Sequence, residues 1–212
     1  MRYDELKNWL QNLRGTAVDN LTPASSDASF RRYFRWADGT QSFIAMDAPP
    51  PQEDCVPFIK VAGYLEAMNL NAPRVIDAHV GRGFLLLTDL GDTQYLEYIE
   101  SHPDDAARLY DDAIAALLRL QEQGAAFQAQ LPPYDVKLLD FELSLFHDWL
   151  CGTHLGIGFS TDEEMQWREL CSCLIRNALD QPQVFVHRDY HSRNLMVMDD
   201  NNPGILDFQD AV

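Results

Sequence analysis

Residues 184–210 read VFVHRDYHSRNLMVMDDNNPGILDFQD and set three oxygen-bearing side chains at fixed intervals on a strand, loop and strand frame. Asp189 is followed five residues later by Asn194 (194 − 189) and eighteen later by Asp207 (207 − 189). The apolar runs Val184–Val186 and Leu195–Met198 predict short buried strands, and Asp199–Gly204 carries a strong turn signal between hairpin strands. Gly204–Leu206 then delivers Asp207 to a strand end, so the three side chains are expected to converge at one edge of a small sheet. Taken singly, an HxD triplet or an aspartate after a strand reads as a loop or cap residue. The joint spacing with apolar flanks is what separates this stretch from chance.

That order and spacing resemble a kinase catalytic loop followed by its metal-binding aspartate. Phosphoryl transfer asks a protein mainly to position ATP, metal and acceptor hydroxyl and to offset charge on the moving group. A carboxylate must face the hydroxyl, which suits Asp189. Hard oxygen ligands must share Mg²⁺ with the nucleotide phosphates, which suits Asn194 and Asp207. His187 is expected to brace the loop by hydrogen bonding. His191, two residues after Asp189, has two readings: a supporting group facing the transferred phosphate, or a loop brace. Arg188 and Arg193 flank the site and are suited either to an anionic substrate or to local acids.

Four further stretches extend the resemblance along the chain, SSDASFRRYFRW (25–36), SFIAMDAPPPQEDC (42–55), FLLLTDLGD (84–92) and LPPYD (131–135), beside HRDYHSRNL and ILDFQDAV (187–195, 205–212) at the opening stretch itself. Together they resemble the aminoglycoside phosphotransferase and choline kinase group, and within it the bacterial kinases that phosphorylate the anomeric hydroxyl of N-acetylmuramate and N-acetylglucosamine in cell-wall recycling. The resemblance implies an α+β, protein-kinase-like fold of two lobes: a small antiparallel-sheet lobe over residues 1–90 and a mainly helical lobe over 91–212. The family continues through further helices that contribute to the acceptor site, so the helical lobe is expected to be incomplete, with apolar surface exposed where they would pack. The resemblance also implies ATP and Mg²⁺ as cofactors and a small-molecule sugar as acceptor. A cationic aminoglycoside or a choline-like molecule is the alternative acceptor, and a nucleotide-binding fragment without turnover the alternative from another class.

The resemblance assigns further positions. The hinge falls at Thr88–Asp92, where the backbones of Thr88 and Leu90 would receive the adenine. On sequence alone, an ordinary strand-to-helix loop reads almost as well. The loop Ser25–Ser29 stands where the family covers the phosphates, and the small side chains of Ser26 and Ser29 would let backbone N–H groups approach them. One departure is evident. Kinase-like folds carry a lysine on the strand after the first hairpin, and here the register puts Met46 there. Either Arg31 or Arg32 supplies the missing charge from the adjoining strand, which is the favoured expectation, or nucleotide binding is weak. In a strand Arg31 and Arg35 share one face and Arg32 takes the other.

Composition agrees with a globular enzyme: 46% of the 212 residues are hydrophobic, enough for a sizeable core. The net charge of −17 comes from 33 acidic against 16 basic residues, which argues against general nucleic-acid or anionic-membrane binding. Six of the 16 basic residues lie in the first 36 positions, beside four acidic ones, a cationic island. Met1–Arg14 predicts an amphipathic helix with Leu6, Trp9, Leu10 and Leu13 at helical spacing, not a signal peptide, so the cytoplasm is the expected compartment. The four cysteines form no metal motif, and Cys171 and Cys173 would point to different faces of a helix. A hairpin is predicted at Phe30–Trp36 and Gln41–Met46, a helix at Glu53–Asn69, strands at Arg74–Ala78 and Gly83–Thr88, and helices at Asp104–Gln123, Phe141–Leu150 and Asp162–Leu179.

Overall fold

The continuous apolar run Phe43–Met46 in the predicted hairpin puts apolar side chains on both faces of a strand and so demands a sheet covered on both sides, and the structure supplies one. The computed structural model describes residues 1–26 and 29–212 and, of Ser25 and Ser26, the backbone alone. Strands β1 (Thr22–Ser26), β2 (Arg32–Asp38), β3 (Gln41–Asp47), β4 (Val75–His79) and β5 (Phe84–Thr88) form an antiparallel sheet in the order β1-β2-β3-β5-β4. Phe34, Trp36, Phe43, Ala45, Phe84 and Leu86 are buried on one face. Helix α1 (Arg2–Arg14) covers them with Leu6 and Leu10, both fully buried, and stops at Gly15 in a left-handed conformation (φ 67°).

The opposite face presents Ile44, Met46, Leu85 and Leu87 to helix α2 (Val56–Ala67), whose Phe58, Val61, Ala62 and Leu65 join the same core. That core is continuous with the helical part of the chain. Helix α3 (Tyr95–Ser101) follows the sheet, and α4 (Ala106–Gly124) buries Leu109, Ala113, Ala116 and Leu120 along one stripe at helical spacing. Gly124 at its end admits no larger residue: a Cβ there would stand 2.5 Å from that of Phe185. Helix α5 (Val136–Leu145) runs into a π-helical stretch, Phe146–Leu155, and α6 (Thr161–Leu179) packs beside α5. A two-stranded ladder, β6 (Leu195–Met196) and β7 (Gly204–Ile205), holds the stretch with which the sequence reading began.

Two buried ties fix the sheet's rim. The Asp47 carboxylate is fully buried and receives Arg2 of α1 and Arg32 of β2, so the helix start and two strands share one charge cluster. Gly83 (φ 70°) turns the chain between β4 and β5, and a Cβ on it would sit 1.7 Å from the Ala48 carbonyl oxygen. Only glycine meets both demands.

The structure corrects several boundaries. The serines expected in a loop before the hairpin belong partly to β1, because residues 22–26 pair with β2. The helix expected from Phe141 starts at Val136, capped by Asp135, whose carboxylate accepts from the Leu138 amide at 3.0 Å. Helix α2 is shorter than expected, since its first turn begins at Val56–Pro57. Val184–Val186 is no strand; Val186 alone exchanges hydrogen bonds with Val212, at 2.8 and 3.0 Å. Helix α3 lies where the strand-to-helix reading of the hinge puts a helix, whose bounds the pattern alone does not mark. Large apolar side chains of the helical part stand in the open, among them Phe141, Trp149 and Leu170 at 59, 64 and 50% exposure. Among the described residues, no helix is long and apolar enough to cross a membrane.

Candidate active site

Of the strands expected around the opening stretch, those at Leu195 and Gly204 form, as the two-residue ladder β6–β7. Leu195 pairs with Ile205 and Met196 with Gly204, and the Leu206 amide donates to the Asn194 carbonyl at 2.9 Å. Asn194 and Asp207 therefore leave the same end of the ladder. The Asn194 amide nitrogen donates to an Asp207 carboxylate oxygen at 3.3 Å and to the Asp189 carbonyl at 3.0 Å. All three predicted residues thus meet in one hydrogen-bonded group. Asp207 holds a left-handed backbone (φ 59°), and its other carboxylate oxygen accepts from Gln209 at 2.8 Å.

The donor set suits a hard divalent cation. With its amide hydrogens committed to Asp189 and Asp207, Asn194 can offer its carbonyl oxygen beside the Asp207 carboxylate. Two oxygen ligands completed by phosphates and water match how Mg²⁺ is normally held. No group of three or more His, Cys, Asp or Glu side chains that could hold a metal ion occurs among the described residues.

The loop between Phe185 and Asn194 is held by its side chains. His187 is buried, and one ring nitrogen lies 3.0 Å from the Leu206 carbonyl. Burial pushes its pKa down, so the ring stays neutral and that nitrogen is the donor. This is the bracing role expected for it. The Tyr190 hydroxyl donates to the Ala113 carbonyl on α4 at 2.8 Å. His191 faces a cleft while its Nδ1 lies 3.3 Å from the Arg193 amide, so its two readings both keep a physical basis. Arg188 is turned instead toward Glu142 of α5.

That cleft, of about 720 Å³, lies between the sheet and the loop. Ile44 and Leu87 from the sheet, and Met196 and Leu206 from the ladder, give it apolar walls, while Asn194 and Asp207 stand in its lining. Apolar surfaces supplied from two elements suit a planar aromatic ring, and the acidic end suits a metal with phosphates. Thr88 and Leu90 of the predicted hinge also line it. A second hollow of about 530 Å³, near Gln41, Arg74 and Asp89, holds none of the predicted catalytic or metal-binding residues.

Neither candidate arginine is among the residues lining the cleft, and the two pair on different sides. Arg32 shares the α1 side of β2 with Phe34 and Trp36 and pairs with buried Asp47, away from the cleft. Arg31 falls on the other side, where its guanidinium pairs with Glu53 at 3.0 Å, both side chains nearly buried at 13 and 10% exposure. Glu53 also receives the Phe30 amide at 3.0 Å, and the Ser29 hydroxyl accepts from the Arg31 amide at 3.1 Å. Met46 is wholly buried among apolar side chains, so no charge comes from that strand position. The side chain of Ser26 lies outside the described residues.

One element of the site was missed. Arg35 reaches from β2 to the hinge and clasps Asp89 at 2.6 and 3.0 Å, with a further bond to the Gly91 carbonyl at 2.7 Å. Burial alone would raise the Asp89 pKa, but the bonds from Arg35, Ser42 and the Gly91 amide outweigh it and bring it below the ordinary value. The Arg35 pKa is raised by the same pairing. The signal was present in the strand parity that puts Arg35 on the side of Arg31, yet nothing local points to Asp89 fifty-four residues on.

Residues 20–212 match the sequence profile of the phosphotransferase enzyme family. Among curated relatives, the N-acetylmuramate/N-acetylglucosamine kinase of Pseudomonas aeruginosa is 50% identical over 192 residues, covering 91% of this chain and 55% of its own length. The protein of that name in Pseudomonas putida is 46% identical over 222 residues, covering all of this chain and 64% of its own. The chain therefore spans less than two thirds of the length of these relatives. Among solved structures, an apo thermostable mutant of aminoglycoside phosphotransferase APH(4)-Ia superposes with a TM-score of 0.65 at 14% identity, over 97% of this chain and 71% of that one. A choline/ethanolamine kinase family protein from Mesorhizobium loti gives 0.60 at 17% identity, over 100% and 66%. At such identities the two structures speak to the fold, and that fold is kinase-like.

Proposed function

Because the chain belongs to the phosphotransferase enzyme family, we propose that it serves an ATP-dependent kinase that phosphorylates the anomeric hydroxyl of an N-acetyl amino sugar, N-acetylmuramate or N-acetylglucosamine. The observation that carries the chemistry is the pairing of Asn194 with Asp207 in the lining of an apolar cleft, with the Asp189 backbone carbonyl bonded to the same Asn194 amide. The acceptor rests on the 50 and 46% identity to kinases bearing those two sugars in their names. Release of ADP with N-acetylmuramate, N-acetylglucosamine, kanamycin and choline tests it on the protein: turnover is expected with the amino sugars. Turnover confined to kanamycin or choline would move the reading to the alternative acceptors, and nucleotide binding without turnover would favour a binding module.

In this reading Asp189 orients the acceptor hydroxyl and accepts its proton as the oxygen attacks the γ-phosphorus. Asn194 and Asp207 hold Mg²⁺, which when bound offsets charge on the phosphates. The backbones of Thr88 and Leu90 receive the adenine, and those of Ser26 and Ser29 approach the phosphates. His191 faces the transferred group from the loop. Arg31, steadied by Glu53, supplies the fixed cation that Met46 cannot. Arg31→Ala is therefore expected to weaken ATP binding about tenfold by titration calorimetry while adenosine binding holds, and equal ATP affinity in the variant would remove Arg31 from the site.

A further inference from the structure

Arg188, immediately before Asp189, holds a left-handed backbone with φ of 75°. Such a conformation is disfavoured for an L-residue with a Cβ, so something must hold it. Its guanidinium donates to one Glu142 oxygen at 3.1 and 2.6 Å and to the Asp210 carbonyl at 3.3 Å. The second Glu142 oxygen accepts from the Tyr134 hydroxyl at 2.6 Å. Arg188 and Glu142 are about three-quarters buried, at 24 and 29% side-chain exposure, which limits screening of the pair. Burial, with Glu142 alongside, pushes the Tyr134 pKa up to about 12, so its hydroxyl remains a donor throughout the physiological range.

One guanidinium thus ties α5 both to the loop carrying Asp189 and to the segment three residues beyond Asp207. With His187 bonded to the Leu206 carbonyl and Tyr190 to the Ala113 carbonyl, both neighbours of Asp189 and the residue before them are tied down. The Asp189 carbonyl itself receives Asn194 and the His191 amide at 3.1 Å. The Asp189 side chain makes no part of this frame and is left to face an acceptor.

We infer that Glu142 is a positioning residue for phosphoryl transfer: through Arg188 it fixes the backbone from which Asp189 meets the acceptor hydroxyl, with Tyr134 setting the orientation of Glu142. The inference rests on the phosphotransfer reading above. It also gives a task to the Leu131–Asp135 stretch, whose Tyr134 orients Glu142 while Asp135 caps the helix that carries it. A misplacement of about 1 Å at a reacting centre can cost on the order of 10²-fold in rate.

The test compares Glu142→Ala, Glu142→Gln and Tyr134→Phe by kinetics and by amide hydrogen exchange without nucleotide. Glu142→Ala is expected to lower kcat about 10–100-fold with KM for ATP within about twofold, and to speed exchange over residues 187–194 while the five-stranded sheet is unchanged. Glu142→Gln should recover part of the loss, Tyr134→Phe should show the smallest one, and Glu142→Ala added to Asp189→Asn should cost nothing further, because the two act on one group. A kcat within twofold of the parent, an equal loss on the Asp189→Asn background, or unchanged exchange over 187–194 would overturn the assignment. Exchange needs no acceptor, so a parent protein inert toward the amino sugars, kanamycin and choline alike would defeat the phosphotransfer reading while exchange still decides whether Glu142 holds the loop.

Discussion

Asp189→Asn is expected to cut kcat by about 10³-fold or more and to leave KM for ATP nearly unchanged. The substitution keeps the size of the side chain, and the backbone carbonyl that receives Asn194 and the His191 amide is untouched. Asp189 is exposed, so its fold contribution is small and the thermal midpoint should hold. What is lost is a carboxylate able to take the hydroxyl proton. General-base catalysis contributes roughly 10²–10⁴-fold, or about 3–5 kcal/mol of barrier, and no neighbouring carboxylate occupies the same place: Asp207 is engaged with Asn194 and Gln209. Steady-state ADP release with saturating acceptor measures it. Turnover within a few-fold of the parent would remove Asp189 from the role of base.

Asp207→Asn should be at least as damaging, and through another quantity. Asparagine is the right probe because the position is left-handed (φ 59°), a conformation asparagine tolerates better than most residues; alanine would mix backbone strain with loss of charge. The variant keeps a side-chain oxygen near Asn194 but removes the negative charge that draws Mg²⁺. Turnover is expected to fall at least about 10³-fold, and the gain in nucleotide affinity that Mg²⁺ confers should shrink by about tenfold or more, an order set by the charge-assisted contacts it removes. Calorimetric titration with ATP, with and without Mg²⁺, gives both numbers. An Asp207→Asn protein in which Mg²⁺ still strengthens ATP binding to the parental extent would assign the cation to other ligands.

The parts of this molecule that were legible in the sequence are those governed by local pattern. Short apolar runs bounded by turn residues placed β2, β3 and β5, and helical spacing placed α1, α4 and α6 near their observed bounds. The spacing of Asp189, Asn194 and Asp207 was readable because a short ladder closes over a turn, which makes sequence distance a proxy for space. The parts that were not legible depend on partners far along the chain. Nothing near Arg35 names Asp89, and nothing near Arg188 names Glu142, forty-six residues away. The choice between Arg31 and Arg32 stayed open in the sequence because strand parity separates two faces without saying which one α1 will cover. Strand β1 was missed since Thr22–Ser26 has the small polar composition of a loop and becomes a strand only through pairing with β2. The π-helical stretch after α5 follows a side-chain pattern that an α-helix would also satisfy.

Phe58 of α2 rests on Phe208 with ring centroids 4.7 Å apart, and Phe208 is covalently next to Asp207. An oily contact with no polar atom therefore sets where the acidic end of the cleft lies relative to the sheet above it. Substitutions around this pair would carry a catalytic penalty that no inspection of charges or hydrogen bonds would locate. The same contact is a natural place for second-site compensation: a variant displaced at one ring can be repaired by reshaping the other. Heritable variation in such a chain would then be coupled between two positions that share neither a charge nor a ligand.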